Sequence, residues 1–293
     1  MKDEAMKGKV VLVTGSTDGI GKETALELAR MGATVILHGR HPGRCQQALD
    51  ECVRESGNRH LGCFAADLSS LHEVRRLAED IRRQYSRLDV LINNAGIFMT
   101  HRNLSDDGFE LTFVVNHLAP FLLTQLLLDL LRATAPSRIV TVTSAAHQRG
   151  QLDFENLQGE KQYTGYGAYA LSKLANVLFT IELAARLAGT GVTANCFHPG
   201  TIGTKLLRQG FGRTSGSSVK EGAMTAVYLA ADPDVALVSG KYFVKKREEP
   251  PSQAAGDAVL REKLWDVSAR LCVVVRSEYA NLADYVVRGT GCH

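Results

Sequence analysis

The stretch Val10-Val11-Leu12-Val13-Thr14-Gly15-Ser16-Thr17-Asp18-Gly19-Ile20-Gly21 decides how the rest of the chain is read. Val10 to Thr14 is a continuous apolar run of strand length, as expected for a strand buried on both faces. Gly15 to Gly21 is a glycine-rich turn, and Lys22 to Met31 continues with the helical spacing of Ala25, Leu28 and Ala29. A strand that turns through glycines into a helix brings free N–H groups and the positive end of the helix dipole to the carboxyl end of the strand, where phosphate binds. Glycine is required where the turn takes unusual φ/ψ values, where a pyrophosphate approaches the backbone and where the helix packs on the strand. The spacing is not G-x-G-x-x-G. A glycine turn also serves structure alone; its place directly after the first strand is what points to a dinucleotide. Gly15, Ser16, Thr17, Asp18, Gly19, Ile20 and Gly21 are therefore candidate cofactor-binding residues.

Outward from this turn, short β-branched runs alternate with amphipathic segments. The pattern predicts an α/β fold, a single doubly wound Rossmann-type domain with a parallel sheet and helices on both faces. Gly32 closes the first helix and Thr34 to Leu37 reads as the second strand. A helix over Gln46 to Ser56, a strand at Leu61 to Ala66, a charged helix over Leu71 to Tyr85 and a strand at Val90 to Ile92 follow. Asp107 to Leu131 reads as one long helix with Pro120 as a kink. Arg138 to Thr143 is a strand, Tyr166 to Ala188 a helix and Thr193 to Phe197 a strand. Residues 203–218, rich in Gly, Ser and Arg, read as a mobile loop. A helix near 219–231 and a strand at Lys241 to Val244 close the pattern. Lys245-Lys246-Arg247 followed by Glu248-Glu249 reads as a solvated loop. The domain is expected over 8–271, with a loosely attached tail at 272–293.

The 293 residues suffice for one large core, and 45% hydrophobic with 22% charged residues is ordinary for a globular protein. A formal net charge of +3 without a basic stripe gives no reason to expect nucleic acid. The six cysteines form no C-x-x-C pair and no zinc spacing with histidine, so no metal is expected and a reducing compartment is. The opening residues do not have signal-peptide form, and Phe121 to Leu131 is too short for a membrane span. The expectation is a soluble cytoplasmic protein with no integral membrane segment.

Tyr169-Ala170-Leu171-Ser172-Lys173 places a phenol and an ammonium one helical turn apart on one face. A free tyrosine, with a pKa of roughly 10, is a poor acid–base catalyst near neutrality, and a nearby cation lowers that value. Such a pair alone is often mere surface. Ser144 ends the strand Arg138 to Thr143, Asn93-Asn94-Ala95-Gly96 follows Val90 to Ile92, and Pro199-Gly200 follows Thr193 to Phe197. All lie just past carboxyl ends of strands, where open α/β sheets bind ligands. His38-Gly39-Arg40-His41, at the end of the second strand, carries no carboxylate; Arg40 suits a 2′-phosphate and favours NADP(H), leaving NAD(H) open, and Arg44 could assist. His147, three residues after Ser144, suggests a Ser–His hydrolase, but no G-x-S-x-G elbow surrounds that serine.

On Thr14-Gly15-x-x-x-Gly19-Ile20-Gly21, Asn93-Asn94-Ala95-Gly96, Ser144, Tyr169-x-x-x-Lys173 and Pro199-Gly200, the chain resembles the short-chain dehydrogenase/reductases from about residue 8 to 245. Gly19 to Ala25, Asn156 to Lys161, Lys173-Leu174-Ala175-Asn176 and Ser239 to Phe243 resemble the retinol dehydrogenase branch, as does the long interval between Ser144 and Tyr169. The resemblance implies a catalytic set of Asn116, Ser144, Tyr169 and Lys173. It implies cofactor contacts from Asp67 and Leu68 at the adenine and from Asn94, Ala95, Gly96, Pro199, Gly200 and Thr204 elsewhere along the dinucleotide. In the reductive direction Tyr169 would protonate a carbonyl oxygen as the nicotinamide delivers hydride. Lys173 would hold the ribose and tune Tyr169, Ser144 would orient the substrate oxygen, and Asn116 would hold the helix geometry and a water linking Lys173 to solvent. The substrate expected is a small-molecule aldehyde or ketone, retinal-like compounds included. Membrane-bound members of the branch carry an N-terminal hydrophobic anchor, and none is expected here. Members commonly pair through two long helices, here 107–131 and 166–188, so a homodimer is expected. A protochlorophyllide-type reductase and a non-catalytic dinucleotide-binding scaffold or redox sensor are the alternatives. Intact Asn116, Ser144, Tyr169 and Lys173 speak against a scaffold.

Removing the Arg40 charge isolates its part in cofactor choice. Arg40→Ala is expected to lower the preference for NADP over NAD, read as the ratio of kcat/KM values. An unchanged ratio would remove Arg40 from the assignment.

Overall fold

The computed structural model describes residues 5–212 and 215–273. Its centre is a sheet that begins with β1 (Val10–Val13), whose four residues are all buried. The chain continues through α1 (Gly19–Arg30), β2 (Thr34–Gly39), α2 (Pro42–Ser56), β3 (Leu61–Ala65), α3 (Leu71–Gln84) and β4 (Val90–Asn93). After β4 come a short turn of helix α4 (Leu111–Phe113), a π-helical turn (Val114–Leu118), α5 (Ala119–Ala133), β5 (Ser137–Val142), α6 (Gly165–Arg186) and β6 (Val192–His198). The described chain ends with α7 (Lys205–Phe211), α8 (Val219–Ala231), the hairpin β7 (Tyr242–Val244) and β8 (Arg247–Glu249), and α9 (Ala258–Val273).

The eight strands lie in the order β3-β2-β1-β4-β5-β6-β7-β8, parallel throughout except for the antiparallel β8. Side chains alternate across the sheet because successive residues of a strand face opposite ways. Leu12, Ile36, Leu91 and Ile139 pack with α3, α5, α6 and α9, whereas Val11, Val13, Val35, Val90 and Val140 pack with α1, α2 and α8. Helix ends follow local chemistry. Ser70 caps α3 by accepting from Glu73 N, Thr164 caps α6 by accepting from Gly167 N, and α2 starts on Pro42 and ends at the left-handed Gly57.

Several expectations need correction. The long helix does not begin at Asp107. Gly108, at φ +86°, closes a turn with Ser105, and the carboxylate of Glu110 caps the helix by accepting from Thr112 N and Phe113 N. The kink expected at Pro120 is a π turn just before it. An α-helix would aim the N–H of residue 120 at Asn116 O, but proline has none. The backbone widens instead, and Ala119 N bonds Val114 O. The presumed loop 203–218 contains α7, bracketed by a Thr204 cap and the left-handed Gly212; the composition of the whole stretch masked these end signals. Lys245 and Lys246, both at positive φ, form a tight hairpin turn into β8 rather than a loop.

Helix α9, for which the sequence pattern predicts no element, carries the domain through Val273, past the boundary expected at 271. Of the expected tail, residues 274–293 lie outside the described residues. Trp265 of α9 packs edge-on against Phe121 (centroids 5.0 Å) and stacks on Phe179 (6.0 Å), while the Arg186 guanidinium lies 4.3 Å over its ring. The helix thus lies across α5 and α6, the elements expected to pair two copies. Two helical runs, Leu111–Ala133 and Gly165–Arg186, have the length and apolarity to cross a membrane, but 83% and 72% of those windows are buried in the fold.

Trp265→Ala should cost about 3 kcal/mol, the lower end of buried Trp truncation because the ring is only partly buried. Urea denaturation measures it, and an unchanged midpoint would mean that α9 contributes little to the fold.

Candidate active site

The strand order reverses between β1 and β4, and the chain leaves these two strands in opposite directions. A crevice opens there by topology alone. Thr14 Oγ1 accepts from Asn94 N (3.0 Å) and Ala95 N (3.1 Å), and Asn94 Nδ2 donates to Thr14 O (2.8 Å) and Gly15 O (3.1 Å). The turns after the two strands are thereby laced into one floor.

Glycines keep that floor open. Gly15 sits at φ +63°, and a Cβ there would stand 2.8 Å from Ala95 Cα. At Gly21 a Cβ would run into Asn94 and into Gly15 O. A Cβ on Gly96 would reach to 3.4 Å from both Asn116 Oδ1 and Lys173 Nζ, so the backbone of Asn94-Ala95-Gly96 faces those side chains directly. These are the close approaches a dinucleotide requires, and the residues present fit one. Gly15 N donates to Nδ1 of the buried His38, whose Nε2–H then faces Ala66 O (3.1 Å), so a neutral imidazole pins the turn from beneath. Asp18 caps α1 through Gly19 N and pairs with Lys205 of α7. Thr204 touches the same turn, its methyl 3.7 Å from the Cβ position of Gly19. Ser16 is fixed by Oγ donating to Val13 O (2.8 Å), and Thr17 packs against Gly39.

Farther along the sheet edge, Arg40 follows β2 with its side chain 64% exposed, and its guanidinium lies 4.0 Å from Asp67. Asp67 also accepts from Ser69 N and Oγ, and Leu68 is buried beside Ala95. On the other side of the crevice Pro199 and Gly200 follow β6, with Gly200 at φ +98°.

Tyr169 and Lys173 project from α6 beside the end of β5. Lys173 is 3% exposed and donates to Val142 O (3.2 Å); its Nζ lies 5.6 Å from the Tyr169 ring centre. Thr143 Oγ1 ties β5 to α6 by donating to Lys173 O (2.8 Å). Ser144 comes next, its Oγ accepting from Ala146 N (3.2 Å) and its hydroxyl close enough to the Tyr169 phenol to oppose the rise in its pKa. Asn116 lies in the π turn, with Oδ1 accepting from Ile97 N (2.8 Å) and Nδ2 donating to Ile97 O and Ser172 Oγ (3.0 Å each). Asn116, Ser144, Tyr169 and Lys173, drawn from the π turn, the segment after β5 and α6, therefore stand around one point at the carboxyl ends of β4 and β5.

The electrostatics depart from expectation. Lys173 was expected to draw the Tyr169 pKa down. Burial instead pushes the phenol up to about 12, with the Ser144 hydroxyl opposing, and desolvation brings Lys173 down to about 8. Tyr169 is thus held as a neutral phenol. The hydrolase geometry is absent, because His147 Nε2 accepts from Ser252 N and its Nδ1–H faces Ser144 O (2.7 Å), leaving neither nitrogen for Ser144 Oγ.

Sequence reading missed the aromatic wall. Phe98, just past Gly96, and Phe211 of α7 each lie 5.5 Å from the Tyr169 ring and 5.0 Å from one another, centroid to centroid. Gly210 permits this, because a Cβ there would press into the Phe98 ring at 2.6 Å. The signal available was the pair of aromatics flanking two glycine motifs. Among the described residues no group of three or more His, Cys, Asp or Glu is placed to hold a metal.

The family model described as short chain dehydrogenase matches residues 9–212. Retinol dehydrogenase 14 of Mus musculus is 44% identical over 285 residues, covering 90% of this chain and 85% of its own. Retinol dehydrogenase 13 of Homo sapiens is also 44% identical, over 279 residues, covering 90% of this chain and 84% of its own. Among solved structures, a Mycobacterium paratuberculosis protein of unassigned function superposes with a TM-score of 0.76 at 34% identity, covering 92% of this chain and 95% of that one. A protein from Escherichia coli CFT073, assigned as a short chain dehydrogenase and complexed with NADPH, has a TM-score of 0.71 at 28% identity and covers 84% of this chain and 100% of its own.

His38 and His117 are both buried and neutral, with pKa values held down to about 4 by desolvation. The unfolded chain, with histidines near their ordinary 6.5, takes up protons that the folded chain refuses. Stability should therefore fall as pH drops from about 6.5 toward 5, before the carboxylates begin to titrate. Urea midpoints across that interval measure it, and a flat profile would contradict neutral burial of the two imidazoles.

Proposed function

Because the chain belongs to the short-chain dehydrogenase family, an oxidoreductase family that binds NAD(P) and acts on CH–OH and C=O groups, and to its retinol dehydrogenase-like branch, we propose that it reduces an apolar aldehyde or ketone with NADPH. All-trans-retinal is the first compound to test. The observation that carries this reading is the Tyr169 phenol, buried against Phe98 and Phe211 on the helix that also carries the buried Lys173, and next to Ser144.

In this reading the carbonyl oxygen lies between Ser144 Oγ and Tyr169 Oη. Ser144 orients and polarises it, and the Tyr169 phenol transfers its proton to that oxygen as negative charge develops. Lys173 keeps a cation beside the phenolate left behind, stabilising the charge that burial alone would penalise. Asn116 fixes the segment at Ile97 against α6, so the two sides of the crevice keep their spacing. The dinucleotide, when bound, supplies the hydride that reaches the carbonyl carbon. Gly15 to Gly21 would hold its pyrophosphate, Asp67 and Leu68 its adenine, Asn94 to Gly96 and Lys173 its ribose, and Pro199, Gly200 and Thr204 its nicotinamide end. NADP(H) is favoured because Arg40 stands where a carboxylate would repel a 2′-phosphate. NADPH and NADP in related structures from Escherichia coli and Shigella flexneri support the choice.

The aromatic wall favours an apolar substrate over a sugar or an acid. The described cysteines, all free, suit a reducing compartment such as the cytoplasm. A homodimer through α5 and α6 has to use the surface that α9 leaves open.

Tyr169→Phe keeps the ring and removes the proton donor. NADPH oxidation with all-trans-retinal should fall by about 10²–10⁴-fold, the usual worth of a positioned acid, while NADPH binding measured by fluorescence titration is unchanged. Substantial residual turnover would overturn the mechanism. Tight NADPH binding, with no turnover of any aldehyde or ketone by the unmodified protein, would favour the scaffold.

A further inference from the structure

A buried polar chain joins the C-terminal helix to Asn116. Because Pro120 offers no N–H, the Asn116 carbonyl is left without its helical donor, and Asn176 Nδ2 of α6 supplies one at 2.8 Å. That bond fixes the Asn176 amide, so its Oδ1 is the atom facing His117 Nδ1 at 3.3 Å. An amide oxygen only accepts, and His117 therefore carries its proton on Nδ1. Nε2 is then an acceptor, and the Ser268 hydroxyl of α9 donates to it at 2.8 Å. Asn176, His117 and Ser268 are all buried, and desolvation keeps the imidazole neutral. Each bond in the chain thus has one donor and one acceptor, with a single consistent direction.

We propose that Ser268, His117 and Asn176 are positioning residues, which transmit the docking of α9 to the side chain of Asn116. The chain grips the π turn at two adjacent points, the Asn116 carbonyl and the His117 ring. The turn in turn aims Asn116 Oδ1 at Ile97 N and Nδ2 at Ser172 Oγ, and Ser172 donates to Tyr169 O (2.8 Å). A leucine and an alanine at 117 and 268 would dock α9 with no polar group to desolvate. The buried polar set instead specifies one register, since a shifted α9 would leave His117 Nε2 without its donor. Aromatic packing of Trp265 already holds the helix on the domain, so this set is not needed merely to attach it.

The inference rests on the reading of Asn116 as part of the site, and the test separates the two. Full-length protein, Ser268→Ala, Asn116→Ala and the double variant are assayed with NADPH and all-trans-retinal. Ser268→Ala should lower kcat by about 10- to 100-fold, the usual effect of displacing a catalytic group by around an ångström, with NADPH affinity unchanged. Adding it to Asn116→Ala should cost nothing further in kcat, although the losses in urea midpoint add. Ser268→Thr, which returns the hydroxyl, should recover part of the loss. Multiplicative kcat losses in the double variant, or a wild-type kcat in Ser268→Ala, would overturn the proposal. A wild-type kcat in Asn116→Ala would instead sink the reading beneath it. Amide exchange gives a second readout that needs no substrate. In Ser268→Ala the Ile97 N–H, held by Asn116 Oδ1, should lose protection while Leu91 in β4 keeps its own. Unchanged protection at Ile97 would overturn the proposal whatever the kinetics.

Discussion

The site depends on one constraint, the reversal of strand order between β1 and β4. Parallel strands end on the same side of the sheet, and at the reversal their following segments diverge, which leaves backbone groups facing outward with nothing to cover them. Thr14 and Asn94 turn that gap into a rigid floor, because each hydroxyl or amide bond spans two segments some eighty residues apart in sequence. Without them the glycine turn and the Asn94-Ala95-Gly96 turn would be two independent loops. With them, a displacement of one moves the other, and the close backbone approaches at Gly15 and Gly21 follow.

Above that floor two effects of burial oppose one another. Desolvation drives Tyr169 toward its neutral form and would drive Lys173 toward its own. The lysine, brought only to about 8, still holds its proton at neutrality, whereas the phenol at about 12 holds its proton firmly. The pair therefore rests as phenol beside ammonium. Phe98 and Phe211 are part of the packing that buries the phenol, and they also form the apolar wall beside it.

How much of this the sequence carried differs by element. The parallel strands were legible as short apolar runs, whereas the charged β8 read as a loop, and the motif residues at the ends of β1, β4, β5 and β6 were legible because period and punctuation agree there. Arg40 was legible as a charge, though not that it would lie within reach of Asp67. The helix at 205–211 was hidden by glycines, serines and arginines around it, and α9 by its weak amphipathic pattern. Its inward face mixes Leu264, Val267 and Leu271 with Ser268, which suits a polar partner but blurs the periodicity. The raised phenol was illegible for a different reason. Reading Lys173 as the nearest charge ignores the two rings, and the rings come from residues 98 and 211.

Pro120 shows how a local violation can be informative. A proline inside a helix costs about 3 kcal/mol when its lost bond is not replaced. Here the loss falls on the carbonyl of Asn116, and the chain replaces it with a side chain from α6 rather than moving the proline to a turn. The replacement binds the widened turn to two other helices at once, through Asn176 and His117. A regular helix would have rotated Asn116 relative to Ile97 and left the amide without its pair of backbone partners. Widening the helix by one residue is what lets a side chain on its inner face reach back across the crevice floor to residue 97.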